Sequence, residues 1–123
     1  MHEGTITTQL VESVLKEAEE RRAKKVIEVC LEIGKLTFLN PEQVRFWYEI
    51  ITKDTIIEDS RLTISEREGT VQCSRCDYTG DFKYVDDPAL HVSMPSLYCP
   101  RCDAPVRIVD GRDCIIKHIR MII

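Results

Sequence analysis

Four of the six cysteines fall into two C-x-x-C knuckles, Cys73-Ser-Arg-Cys76 and Cys99-Pro-Arg-Cys102, separated by residues 77–98. Each knuckle aims two thiolates at one point, and two knuckles make the tetrahedral four-sulfur site that zinc prefers. The spacer is slightly longer than the roughly 15–20 residues usual for such pairs. A four-thiolate set leaves no open coordination position, so it folds a segment rather than activating water. The competing reading, two disulfides, belongs to oxidising compartments. The N-terminus lacks the basic-then-apolar order of a secretion signal, which predicts a cytoplasmic protein with reduced thiols.

The second candidate chemistry lies at the start of the chain. The Met1 amine, the His2 amide nitrogen and the His2 imidazole can close adjacent five- and six-membered rings on one metal. Displacing an amide proton requires a strongly acidifying ion, and square-planar Ni(II) or Cu(II) bound through nitrogen meets that demand better than zinc. A fourth planar position remains for water, for His91 or for a ligand from a partner. The chelate needs Met1 in place; aminopeptidase trimming requires a small second residue, and histidine is large. By itself, though, the dipeptide could arise by chance. His91, within "DPALHVSMP" between the knuckles, reads either as a loop histidine or as a further ligand. Cys30, Cys114 and His118 stand singly in strand-like segments and read as structural. Trp47 and Tyr48 follow helical spacing and suit a core or an interface.

The elements that would position these residues are legible in the periodicity. "TITTQLVESVLKEAEERRAKK" carries Ile6, Leu10, Val11, Val14, Leu15 and Ala18 as one apolar helical stripe. "KVIEVCLEIGKL" switches to period two, with Ile27, Val29, Leu31 and Ile33 on one face and Glu28, Cys30 and Glu32 on the other, ending at Gly34. A second helix starts at Asn40-Pro41, with Gln43 where a capping box wants its polar partner. Val44, Trp47, Tyr48 and Ile51 follow at helical spacing. "SRLTISERE" reads as a second strand and "RDCIIKHIRMII" as a third, too apolar to stand alone and so expected to return to the sheet. In that last strand His118 is in phase with Ile116 and Arg120. The predicted fold is α+β: two helices packed on a small three-stranded sheet, with an inserted zinc-ribbon module. Residues 1–69 and 108–123 would form the α/β domain and 70–107 the ribbon.

Composition narrows the function. The chain has 123 residues, a net charge of -4 and 43% hydrophobic residues. No apolar run approaches the ~18 residues that span a bilayer. Within 70–107, Arg75, Lys83, Arg101 and Arg107 face Asp77, Asp81, Asp86, Asp87 and Asp103, which is no phosphate-binding surface. These features predict neither nucleic-acid nor membrane binding. No open catalytic zinc set, nucleophile with a paired base or phosphate loop is visible, so no enzyme is expected.

Several blocks in order, "MHE", "LEIGKL", "NPEQVRFWYEI", "LTISE", "CSRC" and "CPRC", resemble the HypA/HybF family of hydrogenase nickel-incorporation proteins across essentially the whole chain. The resemblance implies a nickel metallochaperone that delivers Ni(II) during [NiFe]-hydrogenase maturation. It implies transient nickel at Met1, His2 and Glu3, and structural zinc at Cys73, Cys76, Cys99 and Cys102. In some archaeal-type members the ribbon loop is thought to supply a further nickel ligand, for which His91 is the candidate. Glu3 would orient the His2 ring or act as a helix-start acid. The implied partners are the GTPase HypB and the hydrogenase large-subunit precursor, with urease assembly a further destination. Asp77 and Asp103 stand where the family's knuckles often continue with glycine, and aspartate tolerates the left-handed backbone conformation better than most residues. The alternative is a zinc-ribbon adaptor for protein interactions without nickel traffic. Oligomeric state stays open.

Overall fold

The computed structural model describes residues 3–81, 83–84 and 97–123; Met1, His2 and His91 lie outside them. In chain order the elements are α1 (Glu3–Glu20), β1 (Lys25–Gly34), a 3-10 turn (Lys35–Thr37), α2 (Pro41–Ile51), β2 (Arg61–Arg67), β3 (Thr70–Cys73), β4 (Thr79–Gly80), β5 (Lys83–Tyr84), β6 (Leu97–Tyr98), β7 (Val106–Asp110) and β8 (Cys114–Ile122). They form two compact units. One comprises the described parts of Met1–Ile33, Leu39–Glu66 and Cys114–Ile123; the other comprises those of Gly34–Phe38 and Arg67–Asp113.

In the first unit α1 buries Thr7, Val11, Val14 and Ala18, while Ile6, Leu10 and Leu15 flank the stripe half-buried. The helix stops because Arg22 turns left-handed at φ 54°, and the Ala23 amide reaches back to the Ala18 carbonyl at 2.9 Å. That bond satisfies a carbonyl left without a partner at the helix end. α2 starts where the sequence predicts. Asn40 Oδ1 accepts from the amides of Glu42 (2.9 Å) and Gln43 (3.4 Å), with Pro41 in the first turn. Val44 and Tyr48 enter the core, and the Tyr48 hydroxyl meets Ser60 Oγ at 2.6 Å. Trp47 lies half-exposed instead, its indole over the Gly4 backbone.

The sheet runs β2-β1-β8, so the C-terminal strand does return to it, pairing antiparallel with β1. The register departs from regular alternation at two places. Val26 pairs with Met121 and Glu28 with Arg120, which leaves Ile27 as an extra residue on β1. Cys30 pairs with His118 and Leu31 with Ile116, which leaves Lys117 as the extra residue on β8. The first bulge puts Val26 in the core and turns Ile27 outward, 41% exposed, against the simple period-two expectation. The second moves His118 to the face opposite Ile116, which packs on the core. Val26, Val29, Leu31 and Ile33 cover one side of β1 and join Val11, Val14, Ala18, Val44, Ile57 and Leu62 in one buried cluster.

The second unit carries a three-stranded sheet, β4-β3-β7, and the two-stranded pair β5-β6. Its small core is Cys73, Cys99 and Ala104, with Cys76, Tyr78, Cys102 and Val106 packed against it. A helical unit with a three-stranded sheet plus a cysteine-centred ribbon is the α+β arrangement that the patterning predicts.

Candidate metal centre

The four knuckle cysteines converge. Their sulfurs all lie within 4.8 Å of one another. Cys73 and Cys102 are 3.5 Å apart, Cys76 and Cys99 3.7 Å, and Cys76 and Cys102 3.7 Å. A tetrahedron with metal–sulfur bonds near 2.3 Å has edges of about 3.8 Å. A disulfide would need sulfurs about 2.05 Å apart, and all four thiols are free. The donor set therefore fits zinc without rearrangement.

The local sequence builds each knuckle by turning amides onto the first sulfur. Cys73 Sγ accepts from the amides of Arg75 (3.3 Å) and Cys76 (3.4 Å), and Cys99 Sγ accepts from the amide of Arg101 (3.4 Å). The backbone closes behind them, Cys73 N to Tyr78 O and Cys99 N to Ala104 O, each at 2.9 Å. Asp103 takes the left-handed conformation at φ 61°, as its place after the second knuckle suggests; Asp77 does not. Of the two aspartates that follow the knuckles, one thus uses the tolerance of that residue for the region. Sequence reading missed Tyr78, whose hydroxyl donates to the Asp81 carbonyl at 2.8 Å and whose ring lies 5.9 Å from the Arg101 guanidinium.

The thiols are electrostatically unequal. The Cys76 amide, joined by that of Arg75 and by the neighbouring thiols, outweighs burial and holds Cys73 down at about 6. The Ala104 amide pulls Cys102 down, but burial and the thiols of Cys73, Cys76 and Cys99 together push it up to about 12. For Cys76 the Tyr78 amide likewise loses to burial and to Cys73 and Cys99, and its pKa is raised. Negative charge in the metal-free cluster settles on Cys73, because neighbouring thiolates repel one another.

At the other candidate site only Glu3 is among the described residues. It opens α1, and its Oε1 accepts a hydrogen bond from the Asn40 backbone amide at 3.2 Å. A shallow groove beside it is lined by Glu3, Gly4, Thr8, Gln43 and Trp47. Of the lone residues, Cys114 packs against the core from β8. Cys30 and His118 face each other across β1 and β8 on the opposite side of the sheet. No helix among the described residues is long and apolar enough to cross a membrane.

Comparison with known proteins places this geometry. Residues 1–121 match the family model described as hydrogenase/urease nickel incorporation, metallochaperone, hypA. The hydrogenase maturation factor HypA of Methanocella arvoryzae is 34% identical over 121 residues, covering 98% of both chains. That of Crocosphaera subtropica is 35% identical over 122 residues, covering 98% of this chain and 96% of its own. The solution structure of the Ni metallochaperone HypA from Helicobacter pylori shares the fold, with a TM-score of 0.65 over 99% of this chain and 98% of that one at 17% identity. With its four-thiol cluster and a matching sequence that runs from Met1 nearly to its end, the chain belongs to the HypA family of nickel-incorporating metallochaperones.

Proposed function

We propose that this chain takes Ni(II) at its N-terminus through the Met1 amine and the amide and ring nitrogens of His2, and passes it to a [NiFe]-hydrogenase precursor with the GTPase HypB as partner. Cys73, Cys76, Cys99 and Cys102 hold structural zinc in the same proposal. The observation that carries the nickel site is the bond between Glu3 and the Asn40 amide. It fixes the residue next to the proposed chelate at the point where two helices begin. Helix starts present partly positive N–H groups, unfavourable beside a cation. The Glu3 carboxylate offsets them. Consecutive Cα atoms lie about 3.8 Å apart, so His2 is one such step from this anchored position. The chelate is local and made of exchangeable nitrogen donors, which suits cargo that must be given up. His91 is a further donor in this reading, taking the remaining planar position.

Trp47 supplies the readout. It is the chain's sole tryptophan, and its ring passes within 3.2–3.5 Å of where a Gly4 side chain would start. An ion with a partly filled d shell bound two or three residues from Gly4 quenches its emission through low-lying d–d states; zinc, with a filled d shell, does not. Nickel added to the zinc-loaded, untagged protein should quench Trp47 to a stoichiometric end point. His2→Ala, or residues added before Met1, should abolish the quench with zinc still bound. Equal quenching in the extended protein would refute the N-terminal site, and zinc binding with no stoichiometric nickel would favour the adaptor reading.

A further inference from the structure

Three donors of different chemistry that belong to neither site meet on the outer face of the first unit's sheet. The carboxylate of Glu28, the thiol of Cys30 and the imidazole of His118 offer ligand atoms that all lie within 4.8 Å of one another. We propose that Glu28, Cys30 and His118 form a second metal site, for a divalent transition ion of the zinc–nickel class, with three protein ligands and an open position.

The register argues that this meeting is built. Were the pairing of Leu31 with Ile116 continued regularly, Cys30 would face Lys117 and Glu28 would face Ile119. The bulge at Lys117 shifts the partner strand by one, so that His118 stands opposite Cys30 and Arg120 opposite Glu28; the bulge at Ile27 then restores the original register at Val26 and Met121. Two compensating bulges leave residues unpaired in the ladder. Their combined effect is confined to the three-residue stretch that carries these donors. Directly opposed side chains in antiparallel strands start about 5 Å apart, and Glu28 lies two residues from Cys30 on the same face.

The surroundings suit a ligand set. Thr63 Oγ1 donates to Glu28 Oε2 at 2.8 Å, orienting the carboxylate from β2 as outer partners orient metal ligands. Cys30 is half-buried and unbridged, while His118 is exposed, so the site opens to solvent on one side. Arg120 leans on Glu28 Oε1 at 3.6 Å with its own side chain largely exposed. A pair of that length with its arginine in solvent contributes little, so an entering cation displaces it at small cost. Thiolate and imidazole select against magnesium and calcium and favour zinc or nickel. Three protein ligands with an open position match the exchangeable pattern, unlike the closed cysteine cluster. The proposal does not depend on the N-terminal chelate.

The test uses the full chain carrying His2→Ala, zinc-loaded at the knuckles, so that N-terminal binding cannot contribute. Iodoacetamide alkylation of Cys30 is followed by peptide mass spectrometry, with added Zn(II) and, separately, Ni(II). Either metal should slow Cys30 alkylation tenfold or more and leave Cys114 unchanged. Cys114 sits on the core side of the same strand pair, where burial raises its pKa. His118→Ala should remove the protection. Co(II) bound to the same parent protein should show a thiolate-to-cobalt charge-transfer band that Cys30→Ser lacks. Unchanged Cys30 reactivity with both metals overturns the proposal without reference to the folding of any sheet variant. So does a cobalt spectrum identical with and without Cys30. Retained Cys30 protection, together with no nickel quenching of Trp47 in the untagged protein that keeps His2, would refute the N-terminal reading alone.

Discussion

The carboxylate of Glu3 accepts a hydrogen bond from the backbone amide of Asn40, 3.2 Å away and 37 residues along the chain. In a capping box the residue three past the N-cap bonds back to the N-cap amide. The sequence puts Gln43 in that place, but the Asn40 amide is met by Glu3 from the start of the other helix. The N-termini of α1 and α2 come together there, and a long-range acceptor takes the position that a local one would fill.

This exchange of roles predicts an asymmetry between two substitutions. Glu3→Ala removes the acceptor and should lower stability by about 0.5–1 kcal/mol, the range for losing one capping interaction near the surface. Gln43→Ala should change stability by less than that. Glu3→Gln keeps an oxygen acceptor and should fall between them. Chemical denaturation of the zinc-loaded protein measures all three. A cost for Gln43→Ala equal to that for Glu3→Ala would assign the cap to Gln43 after all.

Gly34 and Gly111 predict a larger effect. A Cβ on Gly34 would stand 2.1 Å from the Gly111 carbonyl oxygen, and one on Gly111 would stand 2.6 Å from the Glu68 carbonyl oxygen. Gly111 also has φ +88°, a region L-residues rarely adopt. The neighbouring backbone is fixed by the bonds from Leu36 N to Gly111 O (2.8 Å) and from Gly34 N to Asp113 O (2.9 Å), so it cannot simply retreat. Gly34→Ala and Gly111→Ala should each cost about 2–4 kcal/mol, the size reached when backbone strain adds to overpacking. Thermal unfolding of the zinc-loaded proteins is the measurement. A change within experimental error for either one would show that the segments can move apart.

The parts of this molecule that the sequence makes legible are those set by local rules. Asn40-Pro41 starts a helix because capping geometry depends on adjacent residues. The knuckle cysteines find one another because each pair is pre-aimed, and the apolar final strand has to be covered. What stayed hidden depends on partners far along the chain. Ile27 reads as a core residue until the register with β8 makes it a bulge. His118 appears in phase with Ile116 until Lys117 is skipped. Trp47 fits the α2 stripe by spacing, yet packs over Gly4 because α1 crosses there. Periodicity within one segment carries no information about a bulge that pairing between two segments creates. The proposed Glu28–Cys30–His118 site depends on such a bulge, which is why Cys30 and His118 read as bland residues from sequence alone.

Zinc entry into the cysteine cluster is coupled to proton release. Zinc binds thiolates, so every cysteine that is a thiol in the metal-free protein must lose a proton on binding. Cys73, held at about 6 by the amides of Cys76 and Arg75, is already a thiolate at neutral pH. Cys76 and Cys102, whose pKa values are raised, are thiols there and must each release a proton. Zinc affinity should therefore weaken by at least about 100-fold for each pH unit lost near neutrality, one factor of ten per proton. Below about 6 Cys73 is protonated too, and the dependence should steepen by a further proton. Competition against a chelator of known proton affinity, from pH 5 to pH 8, gives the slope directly. A slope below two protons near pH 7 would mean that the metal-free cluster holds more negative charge than its crowded sulfurs permit.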